Sequence, residues 1–204
     1  MDLVLVRHGE PVRLTSSDTS GKPADPALTE RGHAQAARLC DWLSHETFDT
    51  VITSSKLRAI ETAAPIAALL GITPIVDDGW LEYDARADDY IPMEELRATK
   101  DPRMQAMIDG RWQEFGGAHP DEFRAQVSAA LDRTISTYAG KRVLVVCHGG
   151  VINTAIALVI GLDRHLWFEP VYTSISRVVA SRSGVRSVSS VNESAHLYAQ
   201  RQLP

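Results

Sequence analysis

Leu3-Val4-Leu5-Val6 runs into Arg7-His8-Gly9-Glu10, and Val143-Leu144-Val145-Val146-Cys147 runs into His148-Gly149-Gly150. Each is an uninterrupted aliphatic run that ends on a histidine followed by glycine. Runs of four or five such residues read as strands covered on both faces, the kind found in parallel sheets. Two of them side by side would deliver two imidazoles to one edge. In open α/β sheets, ligands bind in the crevice beyond the carboxyl ends of the strands, where His8 and His148 would lie. The expected class is therefore α/β with a mostly parallel central sheet.

Between and around these strands the chain alternates helices and strands. Pro11 to Pro26 is rich in Pro, Gly and Ser and reads as a loop over the first strand end. Thr29 caps a helix bearing Ala36, Leu39, Cys40 and Leu43 at helical spacing. Thr50 to Thr53 is a strand, and Ser54 to Arg58 opens a helix with Ile60, Ala63, Ala67 and Leu70 on one face. Gly71 stops that helix and Pro65 is expected to kink it. Ile72 to Val76 reads as a short strand before the turn Trp80-Leu81-Glu82-Tyr83-Asp84. Residues 86–119 lose regular periodicity and read as an insertion or lid. Phe123, Val127, Ala130, Leu131, Ile135 and Tyr138 trace a long amphipathic helix, whereas Val151 to Ile160 is apolar nearly all round and so belongs to a buried helix. Ser174 to Ala180 and Val185 to Val191 form a closing hairpin around Ser183-Gly184 and give the sheet an antiparallel edge.

The 204 residues are 44% hydrophobic, enough for one full-sized core, so residues 1–204 are taken as one domain. A formal charge of -5 with no basic run argues against nucleic acid or an anionic membrane as partner. Cys40 and Cys147 lie in apolar segments without a CxxC pattern and read as buried thiols in a reducing compartment. Met1-Asp2 leads straight into the first strand with no basic leader, so a cytoplasmic location is expected. Val143 to Leu162 is apolar enough to raise a membrane question, but His148, Gly149, Gly150 and Asn153 interrupt it.

Phosphoryl transfer needs an in-line nucleophile, positive donors around the equatorial oxygens and an acid for the leaving oxygen. His8 fits the nucleophile as neutral imidazole, forming a phosphohistidine that water then hydrolyses. Arg7 and Arg58 offer planar forks matched to phosphate oxygens, and their charge favours neutral His8. Arg58 opposes the dipole at its helix start, which calls for a bound anion. His148 supplies a further donor. Glu82, between Leu81 and Tyr83, is the general acid of choice because desolvation would raise its pKa, with Asp84 second. Trp80, Tyr83 and Trp112 read as packing residues, and Cys147 as a core thiol.

These motifs together resemble the histidine phosphatase superfamily, also called the phosphoglycerate-mutase-like family. Arg7-His8-Gly9-Glu10 is similar to its RHGE signature, Leu28-Thr29-Glu30-Arg31-Gly32 to its helix start, and Ser54 through Arg58-Ala59-Ile60-Glu61-Thr62-Ala63 to its RAxxTA segment. Leu81-Glu82, His148-Gly149-Gly150 and the Asn192 to His196-Leu197 pattern complete six elements in order. The resemblance implies a three-layer α/β/α sandwich, transfer through phospho-His8 without metal or other cofactor, and proton donation by Glu82. It also implies a pocket of Arg7, Arg58 and His148, to which Gly149 is added as a substrate contact.

Departures bear on the substrate. Leu14 stands where the family often has asparagine, and Asp84 to Tyr90 lacks the usual glycine and tryptophan. Gly117-Ala118-His119 replaces a Gly-Glu-Ser pattern, making His119 a candidate phosphate-facing group, and Asn153 replaces an arginine. The expected activity is hydrolysis of a small phosphomonoester by a metal-independent phosphatase. A phosphoglycerate mutase and a non-catalytic phosphate-recognition module on the same fold are the alternatives. A metal site of His8, His148 and Glu82 is disfavoured, since a divalent ion about 4 Å from one guanidinium meets repulsion of ~8 kcal/mol at an effective dielectric of about 20. The leaving alcohol is unassigned, and oligomeric state is open, a homodimer included.

Overall fold

In the computed structural model, residues 1–198 are described. Six strands, β1 (Asp2–Arg7), β2 (Thr50–Thr53), β3 (Ile75–Val76), β4 (Arg142–Cys147), β5 (Ile175–Ala180) and β6 (Arg186–Glu193), form one sheet in the order β3-β2-β4-β1-β5-β6. The first four of that order are mutually parallel; β5 and β6 are antiparallel additions. The helices are α1 (Ser16–Thr19), α2 (Glu30–Leu43), α3 (Leu57–Leu70), α4 (Met93–Ala98), α5 (Arg103–Ile108), α6 (Pro120–Thr137) and α7 (Gly149–Ile160).

The alternation of side chains along each strand divides the core into two halves. Leu3, Leu5, Val143, Val145 and Cys147 meet Phe123, Val127 and Leu131 of α6 and Val151, Ile152 and Ile156 of α7. Val4, Val6, Leu144 and Val146 meet Leu39 and Leu43 of α2 and Ala59, Ala63 and Ile66 of α3. Helices on both faces make the expected sandwich. They also explain why the central strands are aliphatic without interruption, because neither face meets water.

The membrane question is answered by the split of Val143 to Leu162 into β4 and α7. No helix among the described residues is long and apolar enough to cross a membrane. Two local expectations are corrected. The strand anticipated from Ile72 is only Ile75–Val76, at the sheet edge with both side chains exposed. The Pro11 to Pro26 loop contains the short helix α1. Pro65 lies inside α3, which runs on to Leu70. Gly184 turns the β5–β6 hairpin at φ +88°, a conformation that side chains resist.

The two long connections are tied to the body and to each other. Asp25 Oδ1 accepts from the Leu57 amide at the start of α3 (2.8 Å), and Lys56 Nζ donates to the Ala24 carbonyl (2.9 Å). Leu14 and Tyr90 exchange backbone hydrogen bonds of 3.0 and 2.8 Å, joining the first loop to the 86–119 segment. Within that segment Trp112 is buried, stacks on Tyr83 with centroids 4.5 Å apart and meets Phe123 edge-on. Its indole donates to the Met107 carbonyl at 2.8 Å. Trp80, Tyr83 and Trp112 are thus the packing residues the sequence suggested.

Candidate active site

β1 and β4 run in register, with Arg7 opposite Cys147, so the next residue of each strand is a histidine. The rings of His8 and His148 lie 5.2 Å apart between centroids at 61°. His8 is 2% exposed, and its amide donates to the Cys147 carbonyl (2.9 Å). The Thr173 amide donates to the carbonyls of Arg7 (3.0 Å) and His8 (3.3 Å). Next in the chain, the Gly9 amide donates to Thr62 Oγ1, whose hydroxyl donates to the Arg58 carbonyl. This fixes the backbone beside His8 relative to α3.

His8 Nδ1 lies 2.8 Å from the Gly9 carbonyl oxygen, which can only accept. Nδ1 therefore holds the ring proton, and Nε2 carries the lone pair. Arg58 Nε donates toward that lone pair at 3.3 Å. Burial, then the charges of Arg58 and Arg7, hold the imidazole well below its ordinary pKa, outweighing the Gly9 carbonyl. The ring is neutral at physiological pH, as a nucleophilic nitrogen requires.

Arg7 and Arg58 are both almost fully buried. The Arg7 guanidinium lies 4.0 Å above the Tyr172 ring, and its Nη1 donates to the Pro170 carbonyl at 2.6 Å. The Arg58 guanidinium lies 4.7 Å from the Tyr90 ring, with Nη2 3.7 Å from Asp84. Arg7 Nε and Arg58 Nη1 find no hydrogen-bond acceptor among the described residues. Buried guanidinium donors left without acceptors are costly, and a tetrahedral oxyanion would satisfy both.

His148 is fully buried, its Nε2 2.8 Å from Ser54 Oγ. Ser54 Oγ also receives the Lys56 amide at 3.4 Å. With the Ser54 hydroxyl donating to His148 Nε2, the tautomer we assign, the ring proton sits on Nδ1, an atom with no partner among the described residues. Burial and the neighbouring Arg58 hold His148 neutral as well. Ser54 is accordingly a positioning residue. Ser54→Ala is expected to lower kcat about 10- to 100-fold with little change in KM, and Ser54→Thr, which keeps the hydroxyl, to restore most of it. Equal kcat for Ser54→Ala and the parent would overturn this tautomer assignment.

Glu82 follows a single 3-10 turn, Asp78–Trp80. Its Oε2 accepts from the Gly150 amide (2.8 Å) and its Oε1 from the Tyr83 amide (3.2 Å). A Cβ on Gly150 would lie 2.4 Å from Glu82 Oε1 and 2.9 Å from the Tyr83 ring, so only glycine allows this approach. Burial, then the Asp84 charge, push the Glu82 carboxyl up to about 7 against the pull of the two amides. Asp84 is also raised by burial.

Arg7, His8, Arg58, Glu82, Asp84 and Gly149 line one cavity. His119 does not line it: it sits at the N-terminus of α6, where its Nδ1 accepts from the Asp121 amide at 3.3 Å. A helix cap, rather than a phosphate contact, accounts for it. Sequence reasoning missed Tyr172 and Tyr90, which stack on the arginines, and the part played by Asn153. That amide donates to the carbonyls of Gly149 and Phe168 and accepts from the amides of Trp167 and Phe168, clamping the chain after α7 against the site. A buried Asn in an otherwise apolar helix was the available signal. Among the described residues no three His, Cys, Asp or Glu side chains are grouped to hold a metal ion.

The chain is 29% identical over 170 residues to "Probable phosphoglycerate mutase GpmB" of Yersinia enterocolitica, covering 81% of this chain and 77% of that one. Its fold is similar to mycobacterial glucosyl-3-phosphoglycerate phosphatase, with a TM-score of 0.73, 20% identity, and 95% and 99% of the two chains covered. It is likewise similar to phosphoserine phosphatase from Entamoeba histolytica, with a TM-score of 0.68, 24% identity, and 96% and 98% covered. A sequence model of branch 1 of the histidine phosphatase superfamily matches residues 3–193, and the chain belongs to that superfamily.

Proposed function

We propose that the protein is a metal-independent phosphatase that hydrolyses a small phosphomonoester through a phosphohistidine on His8. The observation that carries this reading is the neutral His8 with its lone pair on Nε2, next to two buried guanidiniums that each have an unmatched donor. His8 Nε2 attacks phosphorus as the bond to the leaving oxygen breaks, and Glu82 gives its proton to that oxygen. Water then attacks the phosphohistidine, its proton passes to Glu82, and the N–P bond breaks to release phosphate and neutral His8. Arg7, Arg58 and His148 donate to the phosphoryl oxygens, with Gly149 alongside. A carboxyl with a pKa of about 7 serves both as acid and as base near neutrality. The two guanidiniums supply the positive charge that a metal would otherwise bring, and would repel one.

The name of the Yersinia relative favours a second reading, phosphoglycerate mutase. The two are separated by assaying p-nitrophenyl phosphate hydrolysis in excess chelator beside interconversion of the phosphoglycerates. Chelator-resistant hydrolysis with phosphate released to water is the expected result. Interconversion without net hydrolysis would establish the mutase, and binding of phosphate without either reaction a recognition module.

A further inference from the structure

We propose that the alcohol leaving this site is uncharged and apolar or aromatic, and that phosphomonoesters carrying a second anionic group are excluded. This rests on the phosphatase reading and names its substrate class.

Beyond the arginines the cavity is walled by Tyr90, Ile91, Met93, Met107, Leu166 and Phe168. Met93 and Met107 come from α4 and α5, and Leu166 and Phe168 from the chain after α7, so two separate stretches of chain supply the apolar surface. Arg7 and Arg58 are the cations lining this cavity, and the phosphoryl group takes both. The other charged lining residues are Glu82, Asp84 and Glu169. Glu94, outside this lining, accepts from the Tyr172 hydroxyl at 3.0 Å and lies 3.5 Å from Arg7.

Cations near the mouth already have partners. Arg97 pairs with Glu169 at 2.6 Å, Arg103 with Asp101 at 2.6 Å and Asp89 at 3.2 Å, and Arg13 with Glu95 at 3.2 Å. Of the neutral donors, both amide hydrogens of Asn153 go to backbone carbonyls, the Gly150 amide goes to Glu82 and the Tyr83 hydroxyl faces the Met107 sulfur at 3.8 Å, while the Tyr90 hydroxyl on the wall suits an uncharged polar substituent. A carboxylate on the leaving group would thus lose water, meet no cation beyond the two the phosphoryl group takes and lie beside Asp84 and Glu169, whereas an apolar body gains contact with the Met, Leu and Phe walls. The phosphate ester of a glyceric acid is the wrong shape of charge for this cavity.

The test compares two esters of one shape, 3-carbamoylbenzyl phosphate and 3-carboxybenzyl phosphate, whose leaving alcohols differ little because the substituent is remote. The amide is expected to show at least a tenfold higher kcat/KM. Equal values, or faster turnover of the acid, would overturn the inference and leave the phosphatase reading intact. Hydrolysis of p-nitrophenyl phosphate but of neither benzyl ester would also overturn it, because the site would then turn over an activated aryl ester while refusing an aromatic alkyl alcohol. If p-nitrophenyl phosphate too is untouched, the phosphatase reading fails and takes the inference with it.

Discussion

His8→Ala is expected to reduce p-nitrophenyl phosphate hydrolysis by at least about 10⁴-fold while leaving the protein folded. The size follows from the chemistry: no other side chain at this sheet edge combines a free lone pair with adjacent phosphoryl donors. His148 comes nearest, but its Nε2 is taken by Ser54 and its other nitrogen carries the proton. Folding should survive because His8 is held neutral, so its removal strands no buried charge. The substitution does free the Gly9 carbonyl and Arg58 Nε, so a loss of about 1–2 kcal/mol in stability is expected. Brief exposure to labelled substrate should leave an acid-labile, base-stable phosphoryl group on the parent protein and none on His8→Ala. Turnover surviving in the variant would mean that phosphorus is attacked by another group.

The second large effect belongs to Glu82→Gln. A carboxyl at about 7 is protonated below that pH, so turnover of an alkyl phosphate, whose alkoxide must be protonated, should fall as pH rises through about 7. The glutamine variant should lose about 10²- to 10⁴-fold on such an ester and lose that limb of the profile. With p-nitrophenolate, which departs unaided, the loss should be much smaller. Equal losses on both esters would remove Glu82 from the acid role and turn attention to Asp84. Linkage adds an independent check. Because the folded pKa lies above the ordinary 4.5, the folded state binds the proton more tightly, and this contribution is fully present below about 4.5. It is lost as pH rises through about 7, by up to ~3 kcal/mol. Urea unfolding at pH 5 and pH 8 should therefore differ less for Glu82→Gln than for the parent.

Much of this was legible in the sequence because its signals were local or strictly periodic. Four apolar residues and a histidine, given twice, specify two covered strands, and the sheet aligns them so that Arg7 faces Cys147. Glu82 and Arg58 were readable for a related reason, since a carboxylate between apolar residues and a cation at a helix start both break a local rule. The aromatic partners of the arginines were not readable. Tyr172 reaches Arg7 only because Thr173 adopts φ +60° and folds its amide back onto the β1 carbonyls, a contact across 166 positions. His119 shows the opposite error, where a capping role dictated by the following Pro120 and Asp121 was overshadowed by a motif position. The antiparallel hairpin was expected, but not that β5 would pair directly with β1.

That last pairing has a bearing on how the protein is made. The strand that leads into His8 is made well before both its hydrogen-bonding neighbours, β4 and β5, which begin at Arg142 and Ile175. Until those later segments are made, an aliphatic segment with two unpaired edges waits for its partners. Contacts so far apart in sequence slow folding and prolong the exposure of such edges. Even then the His8 backbone is not closed until Thr173 arrives, and Thr173 is in turn held through its hydroxyl by His196 at 3.0 Å. A nascent chain stopped short of that point carries His8 but not the contacts that hold its backbone.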